Sequence, residues 1–384
     1  MKKMISVCMA ILLVVALFVQ FHVYAAAPYS AEVDARACIL MDANTGTVLF
    51  EKNADEALPP ASVTKVMTML LVFEAIDAGV LSYDDMISVS ENAASMGGSQ
   101  IFLAPGEKMS VHDLLKGLIV ASGNDAAVAL AEAVAGSEAT FVARMNERAA
   151  ALGMKNTHFE NTNGLDDTAE NHVISARDIA IATRELLKHP KVLEYSSIWM
   201  DTIRGGAFGL TNTNRLIRFY DGATGLKTGS TSKAKFCISA TAERNGLSLI
   251  AVIMGASTKE ARNALAASLF DYGFAGYATF SAPRISLGDV CVTGGVMRAV
   301  NACREPFLAT VDKTLAGNVE MLVDLPEKLC APIAKGEKIG TVTYFSGGKE
   351  IGCVDILAED AVEKLNFSTI FSRFFSWFLM SEEK

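Results

Sequence analysis

A serine becomes a nucleophile when a lysine removes its proton, and this sequence offers the spacing for such a pair repeatedly. In the pattern Ser-x-x-Lys on a helix, both side chains lie on one face because positions i and i+3 are neighbours. A lysine in a dry site near other positive charges has a lowered pKa and can act as a base near neutral pH. The pattern occurs five times, at Ser62/Lys65, Ser230/Lys233, Ser232/Lys235, Ser346/Lys349 and Ser381/Lys384. The pattern alone therefore selects no nucleophile.

The surroundings of Ser62 distinguish it from the other four serines. Pro59-Pro60 precedes it, and apolar residues then cover nearly every side of a predicted helix over 62–78. A helix that is apolar all round is normally buried at the centre of a domain, and its positive N-terminal end favours a developing oxyanion. The other pairs lie in turn-like or terminal contexts, where we expect solvated residues. Ser62 and Lys65 are the candidate nucleophile and base.

Two further fragments carry groups that such a pair would need. Ser122-Gly123-Asn124 lies between two predicted helices, where a loop can direct a hydroxyl and an amide into a cleft. Lys227-Thr228-Gly229 occurs once and opens a strand-like run. Ser-x-x-Lys, Ser-x-Asn and Lys-Thr-Gly in this order form the set typical of class A β-lactamases and penicillin-binding proteins.

Other catalytic machinery is missing from the sequence. It contains no His-Glu-x-x-His, no Gly-x-Ser-x-Gly, no Rossmann glycine pattern and no Walker A loop. We expect His112, His158 and His172 to be surface or locally hydrogen-bonding residues, so a histidine-based serine triad is not favoured. A formal net charge of −9, with a pI near 5.2, argues against nucleic-acid binding.

The elements that must position these residues follow the order strands, helices, strands, helix. Two strands at 37–42 and 47–53 precede a helix-rich middle that extends to 188, and strand-like runs return at 235–254. An amphipathic helix follows at 258–272. This order predicts an α+β fold whose sheet combines strands from both ends of the domain.

The chain divides into four predicted segments. Residues 1–25 have the charged start, apolar run and small-residue end of a signal peptide, with an uncleaved membrane anchor as the alternative. Residues 28–276 form the domain that carries the motifs. Residues 281–360 show short strand-like pieces separated by turns, typical of a small β-sandwich-like domain. Residues 365–380 form a separate aromatic-rich helix.

The helix at the C-terminal end has one strongly aromatic side. On a helical repeat, this side gathers Phe367, Ile370, Phe371, Phe374, Phe375 and Phe378. The segment is too short and too interrupted by Ser and Arg to span a bilayer. We expect it to lie in the membrane interface with Arg373 near lipid phosphates, and packing on its own β domain is the alternative.

The wider sequence around the motifs resembles a known family. Leu58–Thr68 resembles the nucleophile segment of low-molecular-mass penicillin-binding proteins, the serine-type D-alanyl-D-alanine carboxypeptidases, and so do the segments 121–127, 163–166 and 225–229. The likeness is strong over residues 30–275 and looser beyond them. It implies a β-lactamase/transpeptidase-like catalytic domain, with an antiparallel sheet and a helical cluster, followed by a small all-β domain and an amphipathic C-terminal helix.

The resemblance also implies the catalytic roles. Ser62 is expected to form the acyl ester, with Lys65 as its general base. Ser122 is expected to relay a proton to or from the leaving amine. The backbone N–H groups of Ser62 and Ser230 are expected to form the oxyanion hole.

The same resemblance implies the substrate-binding residues. Asn124 is expected to bond the substrate backbone or to orient Lys65. Lys227, with Thr228 and Gly229, is expected to bind the terminal carboxylate of the substrate. Ser230 follows this motif, where some relatives carry a bulkier residue, so the fine substrate preference stays open.

The N-terminal segment and the C-terminal helix predict an exported protein on the outer face of the cytoplasmic membrane, and the oligomeric state stays open, with a monomer expected. The resemblance implies the activity of this protein. It would remove the terminal D-Ala from peptidoglycan stem peptides that end in D-Ala-D-Ala, would be acylated by β-lactams, and would need no metal or organic cofactor. The alternatives are a class A-like β-lactamase and an inactive wall-binding module. Glu160, the nearest candidate for a deacylating glutamate, lacks the sequence context of that class, and we expect an exposed loop residue there.

Overall fold

The structure is a computed structural model that describes residues 28–166 and 169–380. It forms two compact units, Pro28–Ala275 and the chain from Gly276 onward. The predicted signal peptide at 1–25 lies outside the described residues.

The bounds of the elements are as follows. The helices are α1 (Lys65–Asp77), α2 (Glu91–Ala94), α3 (Val111–Ile119), α4 (Asn124–Ala135), α5 (Glu138–Ala151), α6 (Ala176–Leu186), α7 (Lys191–Ser196), α8 (Leu216–Phe219), α9 (Lys259–Gly276) and α10 (Phe367–Met380). The strands of the first unit are β1 (Ala37–Asp42), β2 (Val48–Lys52), β3 (Met86–Ser88), β4 (Lys108–Ser110), β5 (Met200–Ile203), β6 (Phe208–Thr211), β7 (Ala223–Thr231), β8 (Lys235–Arg244) and β9 (Leu247–Ala256). Those of the second unit are β10 (Tyr277–Ala282), β11 (Ile285–Thr293), β12 (Ala299–Arg304), β13 (Phe307–Asp312), β14 (Val319–Asp324), β15 (Lys328–Cys330), β16 (Lys338–Ser346) and β17 (Lys349–Ala358).

The main sheet of the first unit joins strands from both ends of this unit. Its order is β2-β1-β9-β8-β7, and every pair in it is antiparallel. Every residue of β1 is buried: Ile39 and Met41 face the main core, and Leu40 on the other face lies against Gly273 of α9. The predicted α+β fold with an antiparallel sheet is confirmed.

Helix α1 is buried in the helical cluster, as its sequence predicts. Met67, Leu70 and Phe73 are at most 1% exposed, and they belong to a core built from the helices and one face of the sheet. The helix begins at Lys65 and not at Ser62, which instead lies in a 3₁₀ turn over Ala61–Thr64. Lys65 is therefore held by the buried core, while Ser62 lies at the edge of the helical cluster.

The second unit is all-β up to its terminal helix. It has a two-stranded sheet, β10-β13, and a six-stranded sheet of order β14-β16-β17-β12-β11-β15. The expectation that Ser346 is solvated is wrong, since its side chain is buried at the end of β16. In α10, Phe367 is 82% exposed and Phe374 is 62% exposed, while the Arg373 guanidinium donates to the Val296 carbonyl.

No single helix in the described ranges is long and apolar enough to cross a membrane, and α4 with α5 meets that test only as a pair bent by 83°.

Candidate active site

The nucleophile turn brings Ser62 and Lys65 into direct contact. Lys65 Nζ lies 2.9 Å from Ser62 Oγ, 2.5 Å from Asn124 Oδ1 and 2.9 Å from the Asn163 carbonyl oxygen. The amide and carbonyl oxygens only accept, so they take two N–H bonds of the amine. The third direction of a neutral amine is its lone pair, which is left for the Ser62 hydroxyl proton. The contacts of Lys65 thus fit a general base aimed at Ser62.

The surroundings of Lys65 favour the neutral amine that this chemistry requires. Its side chain is fully buried, and burial is the largest cause that lowers its pKa well below the ordinary value of a lysine. The positive charge of Lys227 lowers the pKa further, and the carboxylate of Asp125 opposes this effect. A lowered pKa makes the unprotonated amine more accessible, and only the unprotonated amine can accept the hydroxyl proton.

A second lysine–serine pair faces the same cleft. Ser122 lies between α3 and α4 with a left-handed φ of 64°, a conformation that is strained for a residue with a Cβ. Lys227 Nζ donates to Ser122 Oγ at 2.7 Å and to the Thr228 carbonyl at 2.9 Å. Burial, followed by the charge of Arg262, lowers the pKa of Lys227 to about 7. Ser122 is thus held by an amine that can change its protonation state near neutral pH.

Asn124 is the first residue of α4 and ties Lys65 to a loop across the cleft. Its Oδ1 accepts from Lys65, its Nδ2 donates to the Gly97 carbonyl at 2.7 Å, and its backbone N–H donates to the Ser99 carbonyl. Both polar atoms of the side chain are used within the protein. Of the two expected roles, this arrangement favours the one in which Asn124 orients Lys65.

The Lys-Thr-Gly motif lies in the middle of β7, whereas the sequence suggested the start of a strand. The strand extends back to Ala223 because Ala223 pairs with Ala242 of β8, even though turn-forming residues surround it. A Cβ at Gly229 would lie 2.8 Å from Ser62 N, so only glycine lets β7 pass this close to the nucleophile turn. Ser230 follows Gly229 on the same strand.

These groups line one cavity of about 360 Å³. Its walls are Ser62, Ser99, Ser122, Thr213, Arg215, Thr228, Gly229, Ser230, Lys259, Glu260, Arg262 and Asn263. Three further residues are buried behind this wall. Lys65 bonds Ser62 and Asn124, and Lys227 bonds Ser122. The structure therefore brings all eight residues expected from the sequence to one cleft.

Comparisons with known proteins agree with this arrangement. The family model described as D-alanyl-D-alanine carboxypeptidase matches residues 23–258. The chain belongs to this family. A second family model, described as the C-terminal domain of penicillin-binding protein 5, matches residues 293–364 of the chain.

The chain is similar to individual known proteins over nearly its whole length. It is 41% identical to D-alanyl-D-alanine carboxypeptidase DacF of Bacillus subtilis, over 88% of this chain and 89% of the relative. It is 35% identical to D-alanyl-D-alanine carboxypeptidase DacC of Escherichia coli, over 90% of each chain. Among solved structures, penicillin binding protein 5 from Haemophilus influenzae superposes with a TM-score of 0.79 at 33% identity, covering 88% of this chain and 99% of that one. The chain is a serine D-Ala-D-Ala carboxypeptidase of peptidoglycan metabolism, and the β-lactamase and inactive-module alternatives are not supported.

Arg262 is a cleft residue that the sequence analysis of this carboxypeptidase missed. It lies in the first turn of α9, is 4% exposed, and donates to the Asn263 side chain. Burial lowers its pKa to about 10, which leaves it charged at neutral pH. The available signal was its position, since Arg262 continues the buried stripe of Leu265, Ala266 and Leu269 at helical spacing. A cation on an apolar stripe needs polar partners, and Arg262 finds them in the Asn263 side chain and the Cys237 carbonyl.

Proposed function

We propose that Ser62 is the nucleophile that forms an acyl-enzyme with the penultimate D-Ala of the stem peptide. The observation that carries this proposal is the set of three Lys65 Nζ contacts, two to oxygens that only accept and one to Ser62 Oγ. Lys65 takes the hydroxyl proton as Oγ attacks the peptide carbonyl carbon. The negative oxygen of the tetrahedral intermediate is bound by the N–H groups of Ser62 and Ser230.

Collapse of this intermediate expels the terminal D-Ala as an amine. Ser122 Oγ passes a proton to the amine nitrogen and receives one from Lys227 through their hydrogen bond. The proton that Lys65 took from Ser62 is released to solvent and Lys227 takes one up, so Lys65 is neutral again before water attacks. The peptide C–N bond breaks and an ester to Ser62 remains. Water then attacks the ester, Lys65 accepts the water proton, and the Ser62 hydroxyl is restored with release of the shortened peptide.

We infer that the free carboxylate of the terminal D-Ala lies between Lys227 and Arg262. Both cations are buried beside the same cleft, whose wall includes Thr228 and Thr213, and the Thr228 hydroxyl donates to Thr213 Oγ1 at 2.8 Å. A buried carboxylate is stable only when opposite charges and hydrogen bonds compensate it. This pair of cations accounts for action at the C-terminal end of a peptide.

Mass spectrometry tests the acyl-enzyme directly. After reaction with penicillin, we expect the added mass on the proteolytic fragment that contains Ser62, and no adduct in Ser62→Ala. D-Ala release from a peptide ending in D-Ala-D-Ala is measured on the same preparations. An adduct on another serine, or adduct formation by Ser62→Ala, overturns the assignment.

We propose further that the protein is exported and attached to the outer face of the cytoplasmic membrane through α10. The support is the apolar N-terminal run in the sequence and the exposed aromatic side of α10, where Phe371 stacks with Phe367 and Phe375. An interfacial helix would bury these rings at the headgroup boundary. Truncation after Leu365 should leave peptide hydrolysis intact and release the protein from the membrane fraction. Retention of the truncated, processed protein in that fraction contradicts the proposal.

A further inference from the structure

The peptide unit between Ala61 and Ser62 has an orientation that the local chain does not favour. Ala61 has a left-handed φ of 49°, which is strained for alanine. In a trans peptide unit the C=O and N–H bonds point in opposite directions. A contact that holds the Ala61 carbonyl therefore also sets the direction of the Ser62 N–H, one of the two proposed oxyanion donors.

A chain of three hydrogen bonds ends on that carbonyl. The Glu160 backbone N–H lies 3.0 Å from His172 Nδ1, His172 Nε2 lies 2.7 Å from Thr64 Oγ1, and Thr64 Oγ1 lies 2.9 Å from the Ala61 oxygen. The backbone N–H can only donate, so Nδ1 is an acceptor and the ring proton is on Nε2. Nε2–H then donates to Thr64 Oγ1, whose own proton is left for the Ala61 carbonyl.

This series of hydrogen bonds is shielded from water, so each group in it keeps its role as donor or acceptor. Thr64 is 1% exposed and His172 is 6% exposed, with the Phe159 ring against the imidazole. Burial lowers the pKa of His172 to about 4, and of the charged groups that face it Glu160 raises this pKa and His158 lowers it. The imidazole is therefore neutral at physiological pH.

The Ala61 carbonyl is also confined by the backbone at Gly164. A Cβ built at Gly164 would lie 1.8 Å from the Ala61 oxygen and 2.7 Å from Thr64 Oγ1. Gly164 has a left-handed φ of 83°, so glycine suits this position for conformation as well as for space. The carbonyl is therefore packed on one side and hydrogen-bonded on another.

We propose that His172 is a positioning residue for the oxyanion hole, which acts through Thr64 and the Ala61 carbonyl to aim the Ser62 N–H at the reacting carbonyl oxygen. The inference rests on the proposed role of Ser62. His172 touches no substrate atom in this proposal and moves no proton during the reaction. It holds in place a strained peptide unit that would otherwise relax and lose its aim at the cleft.

The test separates the rate of acylation from binding. His172→Phe keeps a ring in the core but removes both hydrogen bonds, and Thr64→Val removes the hydroxyl while keeping the shape. Since loss of one oxyanion donor costs about 10²–10³ in rate, misalignment should lower the limiting acylation rate with penicillin by about 10- to 100-fold. The dissociation constant of the complex that precedes acylation should stay unchanged. Thr64→Ser, which keeps the hydroxyl, should recover most of the rate.

Two further measurements distinguish positioning from general stabilisation. A boronic acid analogue places a charged oxygen in the oxyanion hole, so its affinity should fall by the same factor as the acylation rate in His172→Phe. His112→Phe is the matched control, because His112 also bonds a hydroxyl, that of Tyr195 at 2.7 Å, and is not part of the cleft wall. We expect this control to lower the melting temperature without lowering the acylation rate.

The double variant Thr64→Val/His172→Phe should acylate no more slowly than the slower single variant, because both changes break one chain. Unchanged acylation rates and boronate affinities in folded His172→Phe, or a neutral imidazole protonated on Nδ1 by nitrogen-15 NMR, overturn the proposal. Failure of the proposed function has a different signature, since Ser62→Ala would then still be acylated.

Discussion

Replacing Lys227 by methionine removes one buried ammonium group while keeping most of the side chain's volume. In the free enzyme this group donates to Ser122 and to the Thr228 carbonyl, and it is 1% exposed. Two consequences follow from the structure. The substrate carboxylate loses one of its two proposed counter-charges, and Lys65 loses a positive neighbour.

The first consequence sets the size of the effect on peptide hydrolysis. A hydrogen bond to a charged group contributes about 1.5–3 kcal/mol, and each 1.4 kcal/mol corresponds to about a factor of ten. We therefore expect kcat/KM for a peptide with a free terminal carboxylate to fall about 10- to 150-fold in Lys227→Met. Arg262 remains as the second cation and limits the loss. A peptide whose terminal carboxyl is amidated should lose much less.

The second consequence appears in the pH dependence. The charge of Lys227 lowers the pKa of Lys65, so its removal should raise that pKa and move the acid limb of penicillin acylation to higher pH. In the wild type, the pKa of Lys227 is about 7, so the free enzyme loses this cation as the pH rises through neutrality. KM for the carboxylate peptide should therefore rise above about pH 7 in the wild type. This rise should be absent in Lys227→Met and for the amidated peptide.

The assay is release of D-Ala or D-Ala-amide from paired peptides across pH, with stopped-flow acylation by penicillin on the same proteins. Lys233→Met is the matched control, because Lys233 is an exposed lysine of the neighbouring turn whose ammonium bonds the Asp166 carbonyl. Equal losses for the acid and the amide, measured at a pH where Lys65 is neutral in both proteins, would refute the carboxylate role of Lys227.

Three other changes test separate parts of the site. Lys65→Met should slow penicillin acylation by about 10²–10⁴-fold without unfolding the protein, and an unchanged rate would exclude Lys65 as the base. Gly164→Ala should lower the free energy of unfolding by at least about 2 kcal/mol and slow acylation, because the new Cβ would clash with the nucleophile turn at a strained φ. Gly153→Ala is its control: Gly153 has a similar φ of 74° but open space around it, so the acylation rate should not change. We expect the penicilloyl group to leave slowly, because Glu160 lacks the sequence context of a deacylating glutamate. Glu160→Ala should leave that rate of release unchanged, and a fall in it would assign Glu160 a part in deacylation.

Local sequence patterns were sufficient to predict the motifs, the long helices and the strands of the main sheet other than the start of β7, whereas short elements such as β5 and β6 were not predicted. The all-round apolar character of 62–78 predicted the buried helix α1, and the strands at both ends predicted the composition of the sheet. The start of that helix differed from the expectation. Ser62 adopts a 3₁₀ turn because the close approach of Gly229 and Gly164 shapes this segment, and both glycines are far away in sequence.

Contacts between distant residues explain what the sequence could not provide. Lys227 meets Ser122 across 105 residues and His172 meets Thr64 across 108, so no spacing rule connects either pair. His172 was expected to be a surface or locally bonded residue, because a lone histidine among polar neighbours gives no signal of burial. Its ring is buried because it lies against Phe159 and bonds Thr64 of the nucleophile turn.

The cleft couples substrate recognition to activation of the nucleophile through shared charge. Lys65, Lys227 and Arg262 are all buried, and each positive charge makes another one harder to hold. Arg262 stays charged and lowers the pKa of Lys227, while Lys227 lowers that of Lys65. In the proposed complex the substrate carboxylate stabilises the charged form of Lys227, so anion binding and the pKa of Lys65 are linked through this lysine. A ligand that brings no carboxylate leaves Lys227 closer to neutral, so the anion that identifies the end of the peptide also acts, through Lys227, on the base that assists the attack of Ser62.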